Sequence, residues 1–139
     1  MPHESDMSIN SKQLFLCFIA LLAIIIATES CKITIKIKSQ TKNKFRIQVF
    51  IPSIKQKTER VSFEGPEEKK VMISGENCLG KKWVVRTWKP DGKGDWVGAK
   101  QESAKIDGMG WMRIIVDDNL LPRIHDRMAI FCSEGELCG

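Results

Sequence analysis

The sequence predicts an all-β fold: an antiparallel β-sandwich of about eight short strands, held by two disulfides. Three observations predict it. Several segments alternate apolar and polar residues at period two, the pattern of a half-buried strand. Glycine, proline and Asp/Asn clusters punctuate the chain about every eight to fourteen residues, and no segment after the N-terminal apolar run reads as a helix. Four cysteines follow that run, an even number in a small chain.

Residues Leu14 to Ala27, LFLCFIALLAIIIA, are apolar throughout. A membrane span needs about 20 such residues, so this shorter run, preceded by Lys12 and followed by small or polar residues, reads as a signal peptide. Residues 1–30 are expected to be removed, with cleavage after Ala27 or Ser30, leaving 31–139 as one secreted, extracellular domain. Removal takes away one lysine and three acids, so the net charge rises from +5 to about +7. Cys17 leaves with the leader. Cys31, Cys78, Cys132 and Cys138 remain and pair as two disulfides. Three connectivities are open, with Cys31–Cys132 and Cys78–Cys138 favoured. No N-x-[ST] site occurs.

Cys31 to Pro52 is expected to form a β-hairpin. Ile33, Ile35 and Ile37 alternate with lysines and Thr34. Phe45, Ile47, Val49 and Ile51 alternate with Arg46, Gln48 and Phe50. Placing both apolar sets on one face leaves a loop from Ser39 to Asn43. Further strands are expected at Arg60–Phe63, Lys70–Ile73, Lys82–Trp88, Trp96–Lys105, Trp111–Val116 and Arg127–Cys132. Glu67–Lys70 reads as a charged turn, Pro90–Asp95 as a proline- and glycine-shaped turn, and Gly108–Gly110 as a tight bend. Asp117–Asp126 is the longest loop, with room for one helical turn. If each strand runs opposite to the one before, the four cysteines gather at one end. The loops 39–43, 65–69, 90–95 and 117–126 then gather at the other.

The chemistry of the sequence favours binding over catalysis. His125 beside Asp126 is the one histidine after the leader, and no placed nucleophile accompanies it. No Cys/His spacing resembles a zinc site. Asp91-Gly92-Lys93-Gly94-Asp95 departs from a calcium loop at its third and sixth positions, although two facing loops, 91–95 and 117–118, could collect a calcium ion. The expectation is no catalytic residue, no cofactor and no resident metal. Lys36, Lys38, Lys42, Lys44 and Arg46 form the expected binding stripe. It suits an anionic glycan, a lipid headgroup surface or an acidic extracellular protein, unless the lysines only solvate an edge strand. A secreted chain without a recognition motif is not expected to bind nucleic acid. Trp83 and Trp88, five positions apart, point to opposite faces of their strand. The second function class is an inhibitor or effector of an extracellular enzyme, inserting loop 89–95 or 117–126.

Cys31-Lys-Ile-Thr-Ile-Lys-Ile-Lys-Ser39, the tryptophan strand from Lys82, Gly108-x-Gly110 and Asp126-Arg127-Met128 through Cys132 give the chain a further property. Over nearly all of 31–139 it resembles a group of small secreted nematode proteins of uncharacterised function. The resemblance implies secretion and disulfide bonding without catalysis, and it assigns no site residues.

Overall fold

The computed structural model describes residues 10–27 and 30–139. The start of the expected leader and residues 28–29, near the expected cleavage, lie outside them. The apolar run forms α1, Ser11–Ala27. Leu14, Phe15, Leu16 and Phe18 on it are exposed. Among the described residues no helix is long and apolar enough to cross a membrane.

The rest is β structure. The strands are β1 (Ser30–Ser39), β2 (Phe45–Ile51), β3 (Gln56–Lys57), β4 (Val61–Phe63), β5 (Glu67–Glu76), β6 (Trp83–Pro90), β7 (Trp96–Val116) and β8 (Pro122–Ser133). They form one mixed sheet in the order β3-β2-β6-β7-β1-β5, with β4 added on β2 and β8 on β7. Short 3-10 turns at Pro52–Ile54 and Glu136–Cys138 complete the fold.

The period-two reading assigned faces correctly and partners wrongly. Ile33, Ile35, Ile37, Phe45, Ile47, Val49 and Ile51 are all buried in one core. Yet β1 and β2 are not a hairpin. β1 pairs antiparallel with β5 (Ile33 opposite Ile73) and parallel with β7 (Ile33 opposite Gly110), so both of its edges are taken. β2 instead pairs with β6, β3 and β4. The parallel β1–β7 pair also corrects the expectation of purely antiparallel strands. Alternation fixes which side of a strand is dry and is silent about its neighbours.

β7 is one strand where two strands and a bend were expected. Its first half pairs with β6 and its second with β1 and β8, so it belongs to both halves of the sheet. Gly108 and Gly110 do not reverse the chain; they let β8 come close. A Cβ on Gly110 would overlap the Met128 carbonyl oxygen, and one on Gly108 that of Ala129. The register shifts here, with Gly108 at φ +132° and Ala129 at φ +58°, and such a bulge bends both strands. Glu67–Lys70 is not a turn but the start of β5, whose charged residues pair with Lys36, Ile37, Lys38 and Ser39. The 117–126 loop is shorter than expected, because β8 already begins at Pro122. The sheet's ends approach one another: Lys69 Nζ of β5 donates to the Ser62 carbonyl of β4.

The two disulfides are Cys31–Cys78 and Cys132–Cys138, not the pairing favoured from sequence. Antiparallel β1 and β5 put Cys31 opposite Gly75, three residues before Cys78. The 3-10 turn folds Cys138 back toward Cys132. Cys138 also lines a cavity with Gln40, Asp117 and Asn119, while Cys132 lies opposite Ile106 of β7, close to the level at which β1 begins. Trp83 is fully buried and its indole N–H donates to the Cys78 carbonyl at 2.9 Å, tying β6 to the first staple. Trp88, on the opposite side of β6, stays half-buried on the outer surface.

Candidate functional site

The absence of a β1–β2 hairpin splits the expected basic stripe. Lys36 and Lys38 lie on the outer face of β5–β1–β7–β8, hereafter the β1 half. Lys36 sits beside Lys70 and Arg113, and Lys38 beside Glu68 and Ile115. Arg46 lies on the outer face of β4–β2–β6–β7, the β2 half, beside Ser62 and Trp88. Lys42 is exposed in the connecting loop. Lys44, also in that loop, pairs with Glu64 at 3.2 Å. The five residues therefore do not make one surface.

Three connecting loops do come together. Asn43, Lys44, Lys89, Gly92 and Asp118 line a cavity of about 630 Å³. Gln40, Asp117, Asn119, Arg123, His125 and Cys138 line a second of about 510 Å³. Local sequence sets these loops. Ser39 Oγ accepts the Thr41 N–H, and Thr41 Oγ1 accepts the Asn43 N–H at 3.0 Å. Buried Thr87 donates to the Leu120 carbonyl at 2.8 Å, fixing 117–121 against β6. In the β6–β7 turn, Asp91 Oδ1 accepts the N–H groups of Lys93 (2.6 Å) and Asp95 (3.1 Å), while Gly92 and Gly94 take positive φ. That turn is exposed and internally braced, with Lys93 at its tip. Its carboxylates are turned on its own backbone. Among the described residues no group of three or more His, Cys, Asp or Glu side chains could hold a metal ion.

His125 lines the second of these cavities, but its neighbour is committed elsewhere. Asp126 pairs with Arg113, which also reaches Glu68 at 3.6 Å. Burial pushes the Asp126 carboxyl up; the Arg113 hydrogen bond and charge outweigh it, His125 adds a smaller pull, and the net pKa is lowered. His125 Nδ1 lies 3.5 Å from Asp126 Oδ1, a long contact, and no serine, threonine or free thiol lines the cleft.

The arrangement that sequence reasoning missed is on the outer face of the β2 half. The Arg46 guanidinium lies 4.2 Å from the Trp96 ring, that of Arg60 lies 4.6 Å from Trp88, and that of Arg86 lies 5.8 Å from Phe50 and 5.9 Å from Trp88. All are within cation–π range. Each guanidinium is also steered by a neutral acceptor. Arg46 Nε donates to Ser62 Oγ (3.2 Å), Arg60 Nε to Gln48 Oε1 (3.5 Å), and Arg86 to Gln101 Oε1 (3.0 and 2.8 Å). Among the described residues none of the three is in an ion pair. A shallow cavity of about 390 Å³ opens beside Arg86, Trp88 and Gly98, with Lys100 on its rim. A signal existed in the sequence: the outward positions of β2 and β6 include Arg46, Phe50, Arg86 and Trp88, two arginines and two aromatic residues. Reading it required knowing that β2 and β6 are neighbours.

No protein-family model matches the chain. No curated protein matches it either. A solved structure described as "Trapped Toxin" is similar over 72% of this chain, with 10% identity and a TM-score of 0.31. The chain spans 23% of that structure's length, and a likeness this low carries no argument about what the protein does.

Proposed function

We propose that the protein is a secreted, disulfide-stabilised β-domain that acts outside the cell by binding an anionic glycan on the outer face of its β2 half. The observation that carries this is the set Arg46, Arg60 and Arg86, each lying over an aromatic ring and each without a carboxylate partner among the described residues. A guanidinium has five N–H donors in a planar fork. Arg46 and Arg60 each use one nitrogen on a protein acceptor and Arg86 two, so each fork keeps N–H donors for a ligand. Sulfate and carboxylate groups on a sugar chain match that fork. Two disulfides and the apolar N-terminal run support an extracellular setting.

The test is elution of the protein from immobilised heparin beside a strong cation exchanger. Elution from heparin at clearly higher salt is the expected result, and Arg46→Gln with Arg60→Gln and Arg86→Gln should bring the two together. Equal elution of the unaltered protein would show that its charge is diffuse and sink the reading.

One observation favours a second reading, an inhibitor or effector of an extracellular enzyme. The braced β6–β7 turn presents Lys93 between two glycines, a shape suited to an acidic slot. Lys93→Ala would abolish such inhibition and leave heparin elution nearly unchanged.

A further inference from the structure

The outer face of the β1 half carries a different chemistry. Met72, Met109, Met128 and Phe131 are 66%, 61%, 62% and 54% exposed, and all four belong to β5, β7 and β8. Met72, Thr34, Trp111 and Met128 occupy one row across β5, β1, β7 and β8. Met109 lies two residues before Trp111, on the same side of β7, beside Lys32. The next row is Lys70, Lys36, Arg113 and Asp126, and the one after is Glu68, Lys38, Ile115 and Arg123. Lys36 Nζ sits 4.1 Å from the centre of the half-buried Trp111 ring. Exposed apolar side chains thus lie between lysines on both sides.

We infer that this face docks on the surface of an anionic lipid bilayer. Charge argues for the occupant. A second copy of the chain meeting this face with its own would set Lys32, Lys36, Lys38 and Lys70 against like charges, which opposes association. An acidic surface is favoured by the same lysines. The form of the apolar part argues for a fluid partner over a protein. Methionine is unbranched and mobile and repacks against many shapes. Met109, Trp111, Met128 and Phe131 line none of the cavities described above, and the cavity of about 390 Å³ that Met72 and Lys70 share with Lys57, Thr58 and Glu59 lies at the β5 edge of the face, away from them. Tryptophan suits the boundary between headgroups and acyl chains, where one edge is wet and the body apolar. The lysines reach headgroup phosphates and carboxylates while their stems follow the apolar surface. Docking buries the methionines to headgroup depth and needs no change in the strands.

The test uses the chain recovered from the medium of a secreting host, its N-terminus determined, in flotation with vesicles of phosphatidylserine and phosphatidylcholine mixed one to three, and with phosphatidylcholine alone. Binding to the mixed vesicles that exceeds binding to phosphatidylcholine alone and weakens with salt is expected. Met109→Gln with Met128→Gln keeps charge and size and should lower the affinity about tenfold, since apolar burial and charge both contribute to such binding. Lys36→Gln with Lys70→Gln should do the same or more. Arg46→Gln with Arg60→Gln, on the other half, should leave it unchanged. The inference is overturned if the mixed vesicles are not preferred, if the methionine variant binds as well as the unaltered chain, or if only the arginine variant loses binding. Light scattering that shows a dimer broken by Met109→Gln and Met128→Gln would assign the face to a second copy instead. A failed heparin test would leave all of these outcomes readable, because no residue is shared between the two faces.

Discussion

The two outer faces carry similar charge and hold it differently. On the β2 half, three guanidiniums rest on Trp96, Trp88 and Phe50 and are steered by Ser62, Gln48 and Gln101. Their direction is fixed before any ligand arrives, so they can discriminate the placement of anionic groups. On the β1 half, both arginines of the cationic rows described above have acidic partners, Arg113 in Asp126 and Glu68 and Arg123 in Glu136. The remaining cations there are lysines on flexible stems beside methionines. They can follow an uneven acidic surface but impose little geometry on it. Equal charge thus supports two modes of recognition, and the choice between arginine on an aromatic ring and lysine beside methionine decides which.

The largest effect expected is on the scaffold beneath the β1 half. Cys31–Cys78 closes a loop with a sequence separation of 47. In the chain-entropy account, replacing both cysteines by alanine costs about 4 kcal/mol, against about 2.4 kcal/mol for Cys132–Cys138 with its separation of 6. Urea denaturation of the two paired variants measures the difference. Because Cys31 starts β1 and Cys78 follows β5, loss of the first staple should disturb vesicle binding before heparin binding. A variant that loses heparin binding first would show that the two halves are not mechanically separate.

Next in size is exchange of arginine for lysine. Arg46→Lys, Arg60→Lys and Arg86→Lys together keep every charge but give up the flat stacked fork. The loss should be about 2 kcal/mol, roughly thirtyfold in heparin affinity by titration calorimetry. The reciprocal pair, Lys36→Arg and Lys70→Arg, should change vesicle affinity less than threefold, since a diffuse acidic surface reads charge more than shape. Equal responses on the two faces would erase the distinction between them.

The difference between the faces was half legible in the sequence. Alternation put Lys36, Lys38 and Arg46 outside and the isoleucines inside, and the turn residues marked where the loops lie. Loops 39–43, 90–95 and 117–121 do meet, even though the hairpin that led to this expectation does not form. Strand partners were not legible, because they depend on long-range contacts. β1 takes β5 and β7 from 28 to 77 residues away, and local patterning carries no trace of that choice. Gly108 and Gly110 were visible as special positions, but the reason was the approach of β8 rather than a chain reversal. The arginine–aromatic stack needed three strands to be aligned before its members became neighbours, so the lysine-rich β1 drew attention that Arg60 and Arg86 deserved equally.

The smallest effect expected concerns Arg113, the cation of the β1 half that holds two acidic partners. Asp126 holds a carboxyl pKa below its ordinary 3.8 because Arg113 stabilises the charged form more than burial opposes it. A carboxyl depressed on folding adds stability that is present above its unfolded pKa and lost as pH falls through the folded one. The Arg113–Asp126 tie between β7 and β8 is therefore intact at neutral pH and is lost only well into acid. Both groups are at the surface, so the loss is modest. Asp126→Asn removes it at every pH. It should flatten the acid limb of a stability–pH curve by a small amount and unmask Arg113 beside Lys36 and Lys70. With Glu68 then its one remaining acidic partner, Arg113 adds to the positive charge of the face, and vesicle binding at neutral pH should rise slightly while heparin binding on the β2 half stays the same. A rise on both faces would mean that long-range charge, and not the local setting of each cation, governs what this protein binds.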